Sequence, residues 1–203
     1  MANGYVRPAR PEEAGDIARI QVATWRTAYR RLLPRHVLAG LDEPWIAQRW
    51  AEAITEPPSP RHRVLVAVEQ GAERHTVGFV ASGPADDAAL APDERDLPDG
   101  VAAVTDLLVE PRWGRRGHGS RLLSAAVSLW REDGFETAVA WAYLEDPATR
   151  GFLTSAGWAP DGASRSLDVD DLLVAQLRLH VALAPPEEVP AGGGPARASG
   201  SAE

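Results

Sequence analysis

WGRRGHGSRLL, running from Trp113 to Leu123, decides the fold. Before it stands a short apolar run, AVTDLLV from Ala103 to Val109, rich in β-formers and too short for a helix of ordinary length. That run is expected to be a central strand. After it, Leu122, Leu123, Ala126, Leu129 and Trp130 recur at helical spacing up to Gly134, which stands where a left-handed C-terminal cap belongs. The pattern predicts a helix from about Gly117 to Asp133. A strand that feeds directly into a helix leaves the first N–H groups of the helix without acceptors, at the positive end of its dipole. Gly117 and Gly119 keep side chains out of the way, and Arg115, Arg116 and Arg121 add positive charge. Such a site wants an anion, and a pyrophosphate fits best.

Spacing separates the phosphate-binding motifs. A P-loop needs a lysine, and the chain contains none. A dinucleotide fingerprint needs a third glycine where Leu122 stands and an acidic residue at the end of the next strand, whereas Glu136 would begin that strand. A plain strand-to-helix turn would also use glycines. The remaining pattern, Arg/Gln-x-x-Gly-x-Gly/Ala after a strand ending in an apolar triplet, resembles the coenzyme A loop of the GNAT-type N-acetyltransferases. Here the triplet is Leu107, Leu108 and Val109, and the loop GRRGHG runs from Gly114 to Gly119, with Gly114 in the Arg/Gln position.

At 203 residues, with 44% hydrophobic composition and seven tryptophans, the chain is long and apolar enough for one globular domain with a sizeable core. A net charge of −8 argues against general nucleic-acid binding and favours a cationic partner. Without cysteine there is no disulfide, thiol nucleophile or cysteine-ligated metal, and without lysine there is no Schiff-base chemistry. The five histidines form no metal-ligating set. Neither a signal core nor a run approaching the roughly 18 apolar residues of a spanning helix is visible, so a cytoplasmic location and no membrane partner are expected.

Gly4 to Ala9 reads as a strand, and Pro11, Glu12 and Glu13 open a helix carried to about Arg31 by Ile17, Ile20, Val22, Ala23, Trp25 and Tyr29. Pro34 follows its end, and a second helix spans Pro44 to Thr55. His62 to Gln70 and Thr76 to Ser82 form a hairpin, followed by an acidic loop (Asp86, Asp87, Asp93, Glu94, Asp96, Asp99) that is expected to be solvated. Thr137 to Leu144 is a strand with Trp141 and Tyr143 on one face. Asp146 then caps a helix that begins at Pro147 and runs to Ala156. Leu172 to Leu183 alternates, which places Leu173, Ala175, Leu177, Leu179, Val181 and Leu183 on a buried face and Gln176, Arg178 and His180 on the other. From Pro185 to Glu203, proline, glycine, alanine and serine dominate, as in a disordered tail.

The segment DPATRGFLTSAGW, from Asp146 to Trp158, carries a second resemblance to the same family, whose motif here is Asn-x-x-Ala-x-x-Phe-Tyr-x-x-x-Gly-Phe. Phe152, Gly157 and Trp158 keep the frame, while Asp146 replaces the asparagine, Thr149 the alanine and Leu153 the tyrosine. The resemblance spans roughly Gly4 to Leu183. It implies one α/β (α+β) domain over residues 1–184, with a mixed, largely antiparallel sheet of about seven strands and about four flanking helices.

It also implies acetyl transfer from acetyl-coenzyme A directly to a primary amine of a small molecule or peptide, with no metal. The cofactor-binding positions are then Leu107, Leu108, Val109, Gly114, Arg115, Arg116, Gly117, His118, Gly119, Ser120 and Asp146. Trp25 and Tyr29 become acceptor-side candidates, with Trp45 and Trp50 beside them, although aromatics at helical spacing are usually core. A homodimer is compatible with the family. Ala103 stands where some members carry a glutamate base, and Leu153 where some carry a tyrosine acid. A binding protein without efficient turnover is therefore the alternative function. Asp106 is the one carboxylate inside the strand, but simple alternation turns it away from Ala103's face unless a bulge re-aims it.

Overall fold

The computed structural model describes residues 3–183, so the sequence-predicted tail lies outside the described residues. In chain order the elements are β1 (Asn3–Pro8), α1 (Ala14–Ala28), α2 (Arg35–Ala39), α3 (Glu43–Thr55), β2 (Arg63–Gln70), β3 (Arg74–Pro84), β4 (Val101–Val109), α4 (His118–Glu132), β5 (Thr137–Tyr143), α5 (Pro147–Ser155), β6 (Ala159–Val169) and β7 (Leu172–Ala182). Five α-helices are present among the described residues rather than about four. The extra one, α2, is a five-residue turn after Pro34, too short to show periodicity in sequence. The first predicted helix is also shorter than expected. Pro11–Glu13 is a 3₁₀ turn, and α1 ends at Ala28, where the backbone leaves helical geometry at Tyr29.

One seven-stranded sheet has the order β1-β2-β3-β4-β5-β7-β6, and among its pairings only β4 with β5 is parallel. Helix α4 crosses one face. Its Leu122, Leu123, Ala126 and Trp130 pack with Trp158, Phe135 and Leu179, each large apolar side chain contributing roughly 1.5–3 kcal/mol on burial. On the opposite face α1 sets Ile17 and Ile20 against Val66, Val68, Phe79 and Leu108. Local signals start the helices as the sequence implies. Asp42 accepts the Trp45 N–H at 3.0 Å, Asp146 accepts those of Ala148 and Thr149 at 3.1 Å each, and Gly134 closes α4 at φ 79°.

Two features of the sheet position the site. The parallel pair β4–β5 is registered from Val101/Thr137 only as far as Val104/Ala140, so beyond Val104 the β5-facing edge of β4 has no strand partner among the described residues. In addition, β4 bulges against β3: Ala81 lies opposite Asp106 and Ser82 opposite Val104, with Thr105 skipped. The bulge reverses the alternation downstream. Ala102 and Val104 lie in the α4-side core and Val101 and Ala103 in the opposite one; past Thr105, Leu107 and Val109 return to the α4 side and Leu108 to the α1 side. Asp106 thus shares a face with Ala103, contrary to simple alternation.

The two faces of β7 also differ from the alternating pattern. Leu177, Leu179 and Val181 join the α4-side core as expected, but at the start of the strand Leu173 and Ala175 are exposed while Val174, Gln176 and Arg178 are buried. The polar face is covered because the acidic loop folds over it. Arg178, 5% exposed, is held by both Glu94 oxygens at 2.6 Å and by Asp161 at 2.6 Å, and it also donates to the Ala89 carbonyl at 2.9 Å. Glu94 is therefore fixed by Arg178 rather than simply solvated, and its carboxyl is drawn down to about 2 chiefly by that guanidinium. Asp86, Asp87, Asp93, Asp96 and Asp99 remain exposed.

Candidate active site

The turn from β4 into α4 is built for close backbone approach. Gly117 enters the helix at φ 80° and Arg115 adopts φ 62°, two left-handed residues that bend the loop tightly. No side chain caps the helix, and among the described residues no backbone acceptor is found for the N–H groups of residues 115–120. These are the free donors a pyrophosphate needs. Gly114 differs, since its N–H is already bonded to the Pro111 carbonyl at 3.1 Å. A Cβ on Gly119 would meet the Phe152 ring at 3.4 Å, so the glycine keeps the loop seated on α5. Arg115 and Arg116 are exposed, and Arg116 lies over the Trp113 ring at 4.8 Å.

His118 belongs to this loop by its backbone. Its imidazole, 1% exposed, is buried beside Trp113, with ring centroids 6.5 Å apart, and its Nε2 is 3.3 Å from Glu69. Neither ring nitrogen makes a well-formed hydrogen bond. Burial disfavours the imidazolium and draws its pKa down, although Glu69 opposes this. The side chain supports the loop from below and does not project toward a phosphate.

A groove runs from this cradle along β4. It is lined by Gly114, Arg115, Gly117, Gly119 and Ser120 at one end and by Val109, Leu107, Thr149 and Phe152 farther along. Leu107 and Thr149 also line a second cleft, in the gap where β4 and β5 part. That cleft contains Asp106, Leu108, Trp141, Tyr143, Asp146, Leu153 and Gln176, and α1 contributes Trp25 and Tyr29. The two spaces meet at Leu107 and Thr149. Trp25 and Tyr29 thus face the cleft, whereas Trp50 packs on Phe79 at 5.0 Å and Trp45 is 60% exposed on the outside of α3.

Asp106 is the distinctive group. Among the described residues no hydrogen-bond donor or cation reaches its carboxylate, so it is not a structural acceptor for backbone or arginine. Half-buried in the cleft wall, it loses part of its hydration and is pushed up to about 7, close to where a general base operates. Burial also raises Tyr29 and Tyr143, assisted by Asp146 at Tyr29 and by Asp106 at both, so both phenols stay protonated. Their rings meet edge to face at 5.0 Å. Ala103 is packed against Ala89 and Val139, and Leu153, 2% exposed, carries no proton.

Sequence reading missed Gln176, assigned to a solvent face, and Thr149, whose hydroxyl donates to Asp146 at 2.7 Å where groove and cleft join. The alternation of β5 already placed Trp141 and Tyr143 together. Nothing in the sequence showed that Arg165 of β6 would hold the Gln176 amide oxygen, at 2.7 Å, in the cleft wall.

The sheet thus splays open behind a glycine-rich loop whose backbone donors face the mouth of the gap. The profile of the acetyltransferase (GNAT) family matches residues 22–158, and the chain belongs to that family. It is 27% identical over 143 residues to YuaI of Bacillus subtilis (strain 168), described as an uncharacterized N-acetyltransferase, covering 70% of this chain and 73% of the relative. Among solved structures it resembles the PaiA N-acetyltransferase of Thermoplasma acidophilum in complex with coenzyme A, with TM-score 0.64, 14% identity, and 89% and 99% of the two chains covered. It also resembles YncA of Salmonella typhimurium with its cofactor acetyl-CoA, with TM-score 0.61, 17% identity, and 91% and 96% covered. At such identities these likenesses establish the fold. No helix among the described residues is long and apolar enough to cross a membrane.

Proposed function

We propose that this protein transfers the acetyl group of acetyl-coenzyme A directly to a primary amine, with Asp106 as general base. The observation that carries the reading is the continuous path from the backbone donors of residues 115–120, along the open edge of β4, to a half-buried carboxylate, none of them with a partner among the described residues. Family membership and the coenzyme A bound by the PaiA protein support the same reading.

In this account the pyrophosphate sits on the N–H groups of Arg115 to Ser120, neutralised by Arg115 and Arg116. The pantetheine lies along Leu107 to Val109 and bonds to their backbone as an added strand would. An N–H of Leu108 or Val109 polarises the thioester carbonyl. The ammonium, entering from the Trp25 and Tyr29 side, gives one proton to Asp106, and the freed amine lone pair attacks the carbonyl carbon. The carbon–sulfur bond then breaks, the second nitrogen proton passes through water to the departing thiolate, and Asp106 returns its proton to solvent. The products are the acetamide and coenzyme A. Leu153 offers no side-chain acid for that last step.

The alternative, acyl-coenzyme A binding without turnover, was suggested by Ala103 and Leu153. The bulge at Thr105 removes half of its basis by setting a carboxylate on Ala103's face. Calorimetry with coenzyme A, paired with thiol release on adding amines, tests the reading. Wild type should bind and turn over, and Gly119→Glu, which puts a bulky anion into the cradle, should lose at least about tenfold in affinity. Undiminished binding by Gly119→Glu would place the phosphates elsewhere.

A further inference from the structure

The cleft between β4 and β5 has an uneven chemistry. Its lining includes two carboxylates, Asp106 and Asp146, and four aromatic side chains, Trp25, Tyr29, Trp141 and Tyr143, but no arginine or histidine. The cation whose field reaches Tyr143, Arg165, is already committed. Its Nε donates to Gln176 Oε1 at 2.7 Å, its Nη1 to the Ala88 carbonyl at 2.6 Å, and its guanidinium stacks over Trp141 at 4.2 Å. Arg165 therefore braces two residues of the cleft wall. The basic groove formed by Arg26, Arg30, Arg31 and Arg35 lies on the outer side of α1 and α2 and shares no lining residue with the cleft.

A ligand entering this space meets negative charge, aromatic faces and a single amide. An ammonium group is attracted by the Asp106 carboxylate and by the rings of Trp25, Tyr29 and Tyr143, which attract cations over their faces, while Asp146, already bonded to Ala148 and Thr149, adds its field. A carboxylate on the neighbouring carbon would be brought, desolvated, beside Asp106 with no cation to receive it. Such like-charge contacts are strongly disfavoured. We propose that the acceptor is a primary amine whose nitrogen-bearing carbon carries no anionic group, an alkylamine or arylalkylamine entering as a cation, and that free α-amino acids are rejected. This rests on the cleft being the acceptor side of the acetyltransferase read above.

Matched pairs differing only in that carboxylate provide the test: tyramine against tyrosine, tryptamine against tryptophan, and cadaverine against lysine. Thiol release from acetyl-coenzyme A gives kcat/KM for each, and calorimetry with and without coenzyme A gives binding independent of turnover. The decarboxylated members should exceed their partners by roughly a hundredfold in both readouts. Asp106→Asn should narrow the binding ratio by about tenfold, because one of the two opposing charges is gone. The proposal is overturned if an amino acid equals or betters its amine, if no amine binds at millimolar concentration, or if Asp106→Asn leaves the ratio unchanged. Acetylation of the amino acids would overturn this inference while upholding the acetyltransferase reading. Failure to bind coenzyme A would overturn that reading and still leave the amine preference measurable in the arm without the cofactor.

Discussion

At the scale of single residues, Asp106 shows a group held in an environment that favours its chemistry and disfavours its charge. An unfolded aspartate titrates near 3.8 and the folded one at about 7, so between these values the folded state holds a proton that the unfolded state has lost. Stability therefore declines as pH rises from about 4 to about 7 and is flat above. Asp106→Asn removes the ionisation. The variant should match wild type near pH 4 and exceed it above pH 7, by roughly 1–4 kcal/mol from a shift of this size. Thermal melts at both pH values read this directly, and equal melting temperatures at pH 8 would mean the carboxylate is well solvated. The identity of Asp106 was plain in the sequence as the lone acid of the strand. Its direction was not, because a one-residue bulge leaves no reliable trace in alternation and reverses every side chain beyond it.

At the scale of elements, the turn between β4 and α4 was the most legible part of the chain. Glycine positions, helical spacing and the cap at Gly134 are local properties, and they fixed the helix within a residue at each end. Gly114 lines the groove, but its N–H is taken within the 3₁₀ turn at Pro111–Trp113 by the Pro111 carbonyl, a local bond that the glycine spacing does not show. The acidic loop was illegible for the opposite reason. Glu94 and Arg178 are 84 residues apart, and only the folded sheet brings them together. This contact anchors the loop over β7 and holds the polar side of the cleft in place. Arg178→Leu would leave Glu94 and Asp161 without their shared cation, and because both carboxylates then reach solvent it should cost about 1.5–3 kcal/mol, the range for losing hydrogen bonds to charged groups. Urea denaturation measures it, and a loss below about 1 kcal/mol would show that the loop is held by other contacts. The pair has its own pH signature. Since Glu94 is lowered from 4.5 to about 2, its stabilising effect is complete above about 4.5 and is lost as pH falls toward 2.

For the whole molecule, the order of strands and helices was readable because each element carries its own period, and two motifs at the right separation tied that order to one family. Sheet order, the splay between β4 and β5 and the meeting of groove and cleft at Leu107 and Thr149 are products of assembly. They place the glycine-rich loop at one mouth of the gap and the Asp106 carboxylate inside it. The central claim is that Asp106 takes the proton from an amine at this junction. It is tested most directly by the pH dependence of kcat/KM for acetyl transfer to an amine such as tyramine, measured for wild type and Asp106→Asn with coenzyme A affinity checked in both. Wild type should show a limb rising with unit slope toward about pH 7, and Asp106→Asn should lose that limb with a rate reduction of about 10² or more. An Asp106→Asn enzyme that keeps both its rate and the limb, with coenzyme A affinity unchanged, would contradict it.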